Sequence, residues 1–232
     1  MKTKEFNLSE FRVDDLRGGG QLGYREEDVK EFIKRLKDEF RKDIIIDDFM
    51  VSIKEIDEII DKLIRFIDWE FRNCIYTKEV RFEIIEKLLS IASEDKKVSD
   101  LIYKLINKLP KKIKIPVGIC HGDLTLSNLI FTERIILIDF LDSYVETPLQ
   151  DIAKLLQEIV LEWSLLIDNS KRDNIKIKIA YEYLRKKLFD RLMSYSKYSR
   201  LFYIITLFRL FPYITNKNIY ERVLLEIKKE LK

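Results

Sequence analysis

Histidine occurs once in the 232 residues of this chain and cysteine only twice. The two cysteines, Cys74 and Cys120, lie far apart without CxxC or Cys/His spacing, so neither a disulfide framework nor a zinc site is indicated. A reducing cytoplasm is the expected setting. Four prolines and six glycines are also few, which predicts long helices joined by short connections. No segment approaches the roughly 18 uninterrupted apolar residues of a membrane span, and the opening MKTKEFNLSEF has no apolar run of signal-peptide type. Neither sign of charge dominates. The 43 basic residues face 40 acidic ones, and the net +3 is interspersed along the chain. Such patterning describes a solvated helical surface and predicts neither a nucleic-acid nor a membrane partner.

Apolar residues make up 47% of the chain, enough to build a core for one large domain or two small lobes. From Arg25 to about Lys42, apolar Val29, Phe32, Ile33, Leu36 and Phe40 recur at helical spacing. Asp43 to Val51 is a short β-branched run, read as a strand or hinge. Ser52 with Glu55 forms a capping-box pattern, and the stripe Ile56, Ile59, Ile60, Leu63, Ile64, Ile67 predicts a long helix to about Cys74. Helices are predicted near Thr77–Ser93 and Lys97–Leu109, the latter stopped by Pro110. Ile113–Cys120 reads as a strand, and Leu129–Phe131 with Ile135–Ile138 reads as a tight hairpin. Beyond residue 139 the pattern is helical: Asp151 opens DIAKLLQEIVLEWSLLI, and further helices are predicted near Asn174–Ser194, Tyr198–Phe211 and Asn218–Leu231.

Chemistry concentrates in HGDLTLSN, His121 to Asn128, and in ILID, Ile136 to Asp139. Phosphoryl transfer is mostly positioning and charge neutralisation. It needs one carboxylate at the acceptor hydroxyl, with an amide oxygen and another carboxylate holding Mg²⁺ against nucleotide phosphates. Asp123, Asn128 and Asp139 fit those three tasks. The hairpin would set Asn128 and Asp139 side by side, able to share one metal ion. Other polar residues leave two readings open. His121 reads as a buried structural histidine or an acid-base group, and Asp142 as a solvated loop carboxylate or a further contact. Arg209 and Tyr213 in RLFPYI read as packed neighbours of Pro212 or as acceptor-pocket residues. The stripe Phe202, Tyr203, Phe208, Phe211 and Tyr213 reads as core, and Cys120 as an inert buried thiol.

With those residues in hand, the middle of the chain resembles the aminoglycoside phosphotransferase and choline kinase branch of the protein-kinase-like superfamily. That branch carries His-Gly-Asp with Asn five residues past the Asp, then Ile-Asp-Phe, and a further Asp about a dozen residues on. Here these are HGDLTLSN, LIDF and Asp151 of PLQDIAKL. The resemblance implies an α/β, mostly α fold: a kinase-like C-lobe with a catalytic-loop β-hairpin over residues 52–232, and an abridged or incomplete N-lobe over 1–51. It implies ATP and Mg²⁺ as cofactors and a hydroxyl of a small molecule as acceptor, a sugar, an amino alcohol or a glycan-linked group. Asp123 becomes the catalytic base or hydroxyl orienter, Asn128 and Asp139 the Mg²⁺ ligands. His121 braces the loop, and Asp151 accepts hydrogen bonds from its backbone, although helix N-capping is the local alternative. The family's strand-borne phosphate lysine has no counterpart in a VAIK-like segment. Gly18, Gly20 and Gly23 satisfy GxGxxG as GGGQLG, read as a turn or as a nucleotide-phosphate cradle. Three readings therefore stand: an active small-molecule kinase, a kinase-like module that binds nucleotide or a protein partner without turnover, and a half-enzyme completed by a homodimer or a separate chain.

Overall fold

The structure, a computed structural model, describes residues 53–92, 95–131, 135–167 and 174–232. All of these belong to the second of the chain's two units, Asp48–Lys232. The predicted N-terminal segment, including Gly18, Gly20, Gly23 and the Ser52 capping box, lies outside the described residues.

Helix α1, Ile53–Arg72, follows its apolar stripe. Ile56, Ile60, Leu63, Ile64 and Ile67 are buried, and Glu70 stands at the next position of the same stripe, fully buried. The helix predicted from Thr77 begins four residues later than expected. Tyr76–Glu79 instead forms strand β1, paired antiparallel with β2, Lys114–Val117. All four β1 residues are exposed, so no apolar alternation marks them, and the ladder to β2 decides their conformation. Helix α2 then runs Arg81–Ile91 and α3 Lys96–Lys108. Asp95 caps α3 by accepting from the N–H groups of Lys97 and Val98 at 2.9 and 3.3 Å, satisfying two of its free donors.

Strand β2 ends three residues short of the predicted Cys120, where Gly118 passes close to the chain just after α1. A Cβ at Gly118 would lie 2.9 Å from the Cys74 Cα. The predicted hairpin forms as β3, Leu129–Phe131, and β4, Ile135–Leu137, in antiparallel register with Leu129 opposite Leu137.

Helix α4, Pro148–Leu161, is the axis of the described body. Leu149, Ile152, Ala153, Leu155, Leu156 and Ile159 are buried on it, and so are Gln150, Asp151, Gln157 and Glu158. A helix buried on nearly every side is surrounded by other elements. Its larger apolar side chains each contribute about 1.5–3 kcal/mol relative to exposure. Thr147, not Asp151, is its N-cap, accepting from the Leu149 N–H at 3.4 Å. The predicted helical run through residue 167 breaks at Glu162, whose φ of 55° is left-handed, and the short helix α5, Trp163–Ile167, follows.

Helices α6, Asn174–Ser194, α7, Ser199–Phe208, and α8, Lys217–Glu230, complete the body. Helix α7 is apolar and packs on α4, with Phe202, Tyr203 and Phe208 fully buried. Phe211 packs against this core, whereas Tyr213 is exposed in a 3₁₀ turn around Pro212. Tyr183 of α6 and Tyr195 just beyond it donate to Asp57 and Asp68 of α1 at 2.9 and 2.5 Å, tying the first described helix to the late ones.

Candidate active site

The segment 121–128 is folded on itself by its own polar groups. Thr125 N–H donates to the Asp123 carbonyl at 2.8 Å, and Asn128 N–H to the Thr125 carbonyl at 3.1 Å. Residues 126–128 thereby close a 3₁₀ turn, which delivers the chain into β3. Gly122 adopts φ +81°, and a Cβ there would sit 2.0 Å from the Leu141 carbonyl oxygen. Only glycine fits that approach. It lets the segment after Asp139 lie across the loop, where Leu141 N–H donates to the His121 carbonyl at 3.0 Å.

His121 is fully buried, and both of its ring nitrogens are engaged. Nδ1 accepts from the Asp123 N–H at 3.3 Å, so Nε2 carries the proton and donates to the Ile138 carbonyl at 2.8 Å. The ring also stacks obliquely on Phe140, centroids 4.4 Å apart. A ring so committed links Asp123 on one side to the Asp139 strand end on the other. That is the bracing arrangement, with no nitrogen left for acid-base work.

Asn128, 4% exposed, donates its side-chain N–H groups to the Asp123 carbonyl at 2.8 Å and to Asp123 Oδ2 at 3.0 Å. Its amide oxygen is thereby turned the opposite way. Ile138 N–H donates to the Asn128 carbonyl at 3.1 Å, which extends the β3/β4 ladder by one step and brings Asp139 next in line. Asp139 has φ 61°, a left-handed conformation that Asp tolerates better than most residues but that still costs energy. The Asn128 amide oxygen and the Asp139 carboxylate could together make a hard, oxygen-only donor pair. It suits Mg²⁺, which takes few protein ligands and fills its octahedron with phosphate oxygens and water.

Helix α4 grips this loop at two points. Asp151 Oδ2 accepts from the His121 N–H at 2.5 Å and Oδ1 from the Gly122 N–H at 2.8 Å. One helical turn on, Lys154 Nζ lies 2.8 Å from Asp123 Oδ1, with both side chains mostly covered. Behind Asp151 stands the buried Glu70 of α1. Burial first, and then the Asp151 charge, push the Glu70 carboxyl up to about 11. Burial raises Asp151 as well, but Glu70 and the two loop N–H groups favour its anion. The proton of the pair therefore sits on Glu70.

Farther along α4, Glu158 is fully buried. It accepts from Tyr181 Oη, from the Ser164 N–H at 3.1 Å and from Ser164 Oγ at 2.9 Å. Burial is the main cause that raises it, and the Asp123 charge adds to the rise. Cys120 donates its thiol to Glu146 Oε2 at 3.4 Å, and burial pushes that thiol well above its ordinary value. It fits the inert reading. Asp142 is exposed, and Tyr213 is 80% exposed. Arg209 is half-buried, its charge reaching the Tyr144 hydroxyl.

Asp123, Asn128, His121 and Asp151 thus form one connected hydrogen-bonded assembly, with Asp139 placed by the hairpin. Lys154 and Glu70 were not singled out in the sequence. Each carried a signal, since Lys154 lies three residues past Asp151 on the same helical face and Glu70 interrupts an apolar stripe.

Two likenesses accompany this geometry. A 65-residue stretch is 40% identical to the "Uncharacterized protein MG356 homolog" of Mycoplasma pneumoniae, covering 27% of this chain and 23% of that relative. The match therefore spans less than a quarter of the relative's length. The model of the family described as "Phosphotransferase enzyme family" matches residues 75–185, which contain the loop, the hairpin, α4 and Lys154. Through that segment, the chain is similar to the phosphotransferase enzyme family.

Proposed function

We propose that this protein transfers the γ-phosphoryl group of ATP to a hydroxyl of a small molecule, with Mg²⁺ assisting, and that the acceptor is a sugar, an amino alcohol or a glycan-linked group. The observation that carries the reading is the Asp123 carboxylate held by Asn128 at 3.0 Å and Lys154 at 2.8 Å. A carboxylate fixed at two points, each oxygen keeping a free lone pair, is preorganised to accept one hydroxyl proton. In the step proposed, the hydroxyl oxygen bonds to the γ-phosphorus. The bond to the bridging oxygen breaks with its electron pair leaving on ADP, and the hydroxyl proton passes to Asp123. Mg²⁺, when bound, would neutralise charge on the phosphate oxygens. Asn128 and Asp139 would hold it, through the amide oxygen turned away from Asp123 and through the carboxylate at the strand end. The setting we propose is the cytoplasm, in keeping with the absence, among the described residues, of any helix long and apolar enough to cross a membrane.

Calorimetry with ATP, with and without Mg²⁺, followed by γ-labelled ATP and a panel of sugars and amino alcohols, tests the reading. Mg²⁺-dependent binding and label transfer to an acceptor are expected. Binding without transfer to any acceptor would favour the non-catalytic kinase-like module, and no binding of either form would reject both.

A further inference from the structure

The Asp123 ion pair is not accounted for by the Mg²⁺ ligands or the loop brace. Lys154 comes from α4, thirty-one positions beyond Asp123 in sequence, and its ammonium meets Oδ1 at 2.8 Å with side-chain exposures of 15% and 24%. Its position is fixed from the same helix that fixes the loop. Asp151, one turn earlier on that face, holds the N–H groups of His121 and Gly122. The two anchors bracket His121–Asp123, one on the backbone and one on the side chain, so the Asp123 carboxylate has little freedom to rotate.

Charge balance gives the lysine a second reason to be there. The buried Glu158 carboxyl lies within electrostatic reach of Asp123. A nucleotide would add phosphates of the same sign. A cation placed 2.8 Å from Asp123 Oδ1 offsets that accumulation while leaving Oδ2 to Asn128. Partial burial strengthens the pair, because water screens it less.

We infer that Lys154 is a positioning residue for phosphoryl transfer: its ammonium locks the Asp123 carboxylate in the orientation that meets the acceptor hydroxyl. It acts through Asp123 rather than by binding nucleotide or acceptor. The inference rests on the phosphotransferase reading above. Misplacing a reacting group by about 1 Å costs roughly 100-fold in rate. Lys154→Met keeps the length of the side chain and removes the charge, so it should lower kcat by about that factor while leaving KM for ATP and for the acceptor within about threefold. Lys154→Arg should recover part of the loss, since a guanidinium can also meet the carboxylate.

The decisive comparison is a double-mutant cycle on kcat with wild type, Lys154→Met, Asp123→Asn and the pair, each checked for an unchanged far-UV spectrum and cooperative melting. If Lys154 acts through Asp123, adding Lys154→Met to Asp123→Asn changes kcat by less than about threefold. Independent, multiplying losses would overturn the inference, as would a Lys154→Met enzyme with wild-type kcat. A loss of the folded state in Lys154→Met but not in Lys154→Arg, with the Arg variant inactive, would also overturn it, because the lysine would then be a structural support. Failure of the underlying phosphotransferase reading shows separately, as a wild-type protein with neither Mg·ATP binding nor label transfer.

Discussion

The carboxylate of Asp151 accepts the backbone N–H of His121 at 2.5 Å across thirty residues of sequence, and it takes the Gly122 N–H as well at 2.8 Å. Those two bonds join the start of the loop to the most buried helix of the described body. A buried N–H left unsatisfied costs about 1–3 kcal/mol. Asp151→Asn can accept only one of the two, since its amide nitrogen would face the other donor. It should destabilise the protein by about 1–3 kcal/mol in urea unfolding and lower turnover together with stability. Unchanged stability would remove Asp151 from the loop's support.

Glu70 and Asp151 yield a pH prediction. The folded-state pKa of Glu70 is raised from 4.5 to about 11, mainly by burial. Its protonated form is therefore favoured by folding, and the associated stability is fully present below 4.5. Above that value the unfolded chain gives up the proton while the folded chain keeps it, so stability falls with rising pH until the folded value is reached. Glu70→Gln imitates the neutral acid and removes this slope. Its Tm relative to wild type should rise steadily from pH 5 to pH 8. A constant Tm difference across that range would show that Glu70 is not the protonated partner.

Gly122 tests the geometry of the loop without touching a charge. A methyl group there meets the Leu141 carbonyl oxygen at 2.0 Å, at a φ of +81°. Gly122→Ala should therefore displace either the loop or the segment after Asp139, costing about 1–3 kcal/mol from the backbone conformation alone. Turnover should fall further than stability, because Leu141 N–H holds the His121 carbonyl. Thermal melting and kinetics on the same preparation separate the two losses.

Much of this arrangement was legible in the sequence, and the exceptions have physical reasons. The hairpin was readable because Leu129–Phe131 and Ile135–Leu137 are short apolar runs flanking polar residues. The long apolar stripe placed α1 within two residues of its end. β1 was misread as helix because Tyr76–Glu79 carries no buried face, and only its partner Lys114–Val117 makes it a strand. The break at Glu162 was invisible because the left-handed turn falls at an ordinary polar residue within an otherwise helical pattern. Asp151 was expected to accept from the loop backbone, with helix capping as the local alternative; it does accept the His121 and Gly122 N–H groups, while Thr147 fills the cap. Lys154 stayed hidden because one lysine on a helix face carries no sign of which carboxylate it will meet. Its partner became evident only once α4 and the loop were packed together.

The proposed metal ligands make their own forecast. Asn128→Ala removes one proposed Mg²⁺ donor and also frees Asp123 Oδ2, since Asn128 donates to it at 3.0 Å. The Mg²⁺ concentration required for half-maximal turnover should rise about tenfold or more, on the scale of losing one oxygen ligand or its support. An unchanged Mg²⁺ requirement would remove Asn128 from the proposed metal site.

The central claim is that Asp123 meets the acceptor hydroxyl, and turnover of Asp123→Asn against wild type measures it most directly. With saturating Mg·ATP and acceptor, the account predicts a fall in kcat of about 10²–10⁴-fold, with Mg·ATP affinity within a few-fold of wild type. An Asp123→Asn protein that transfers phosphate at the wild-type rate would contradict it.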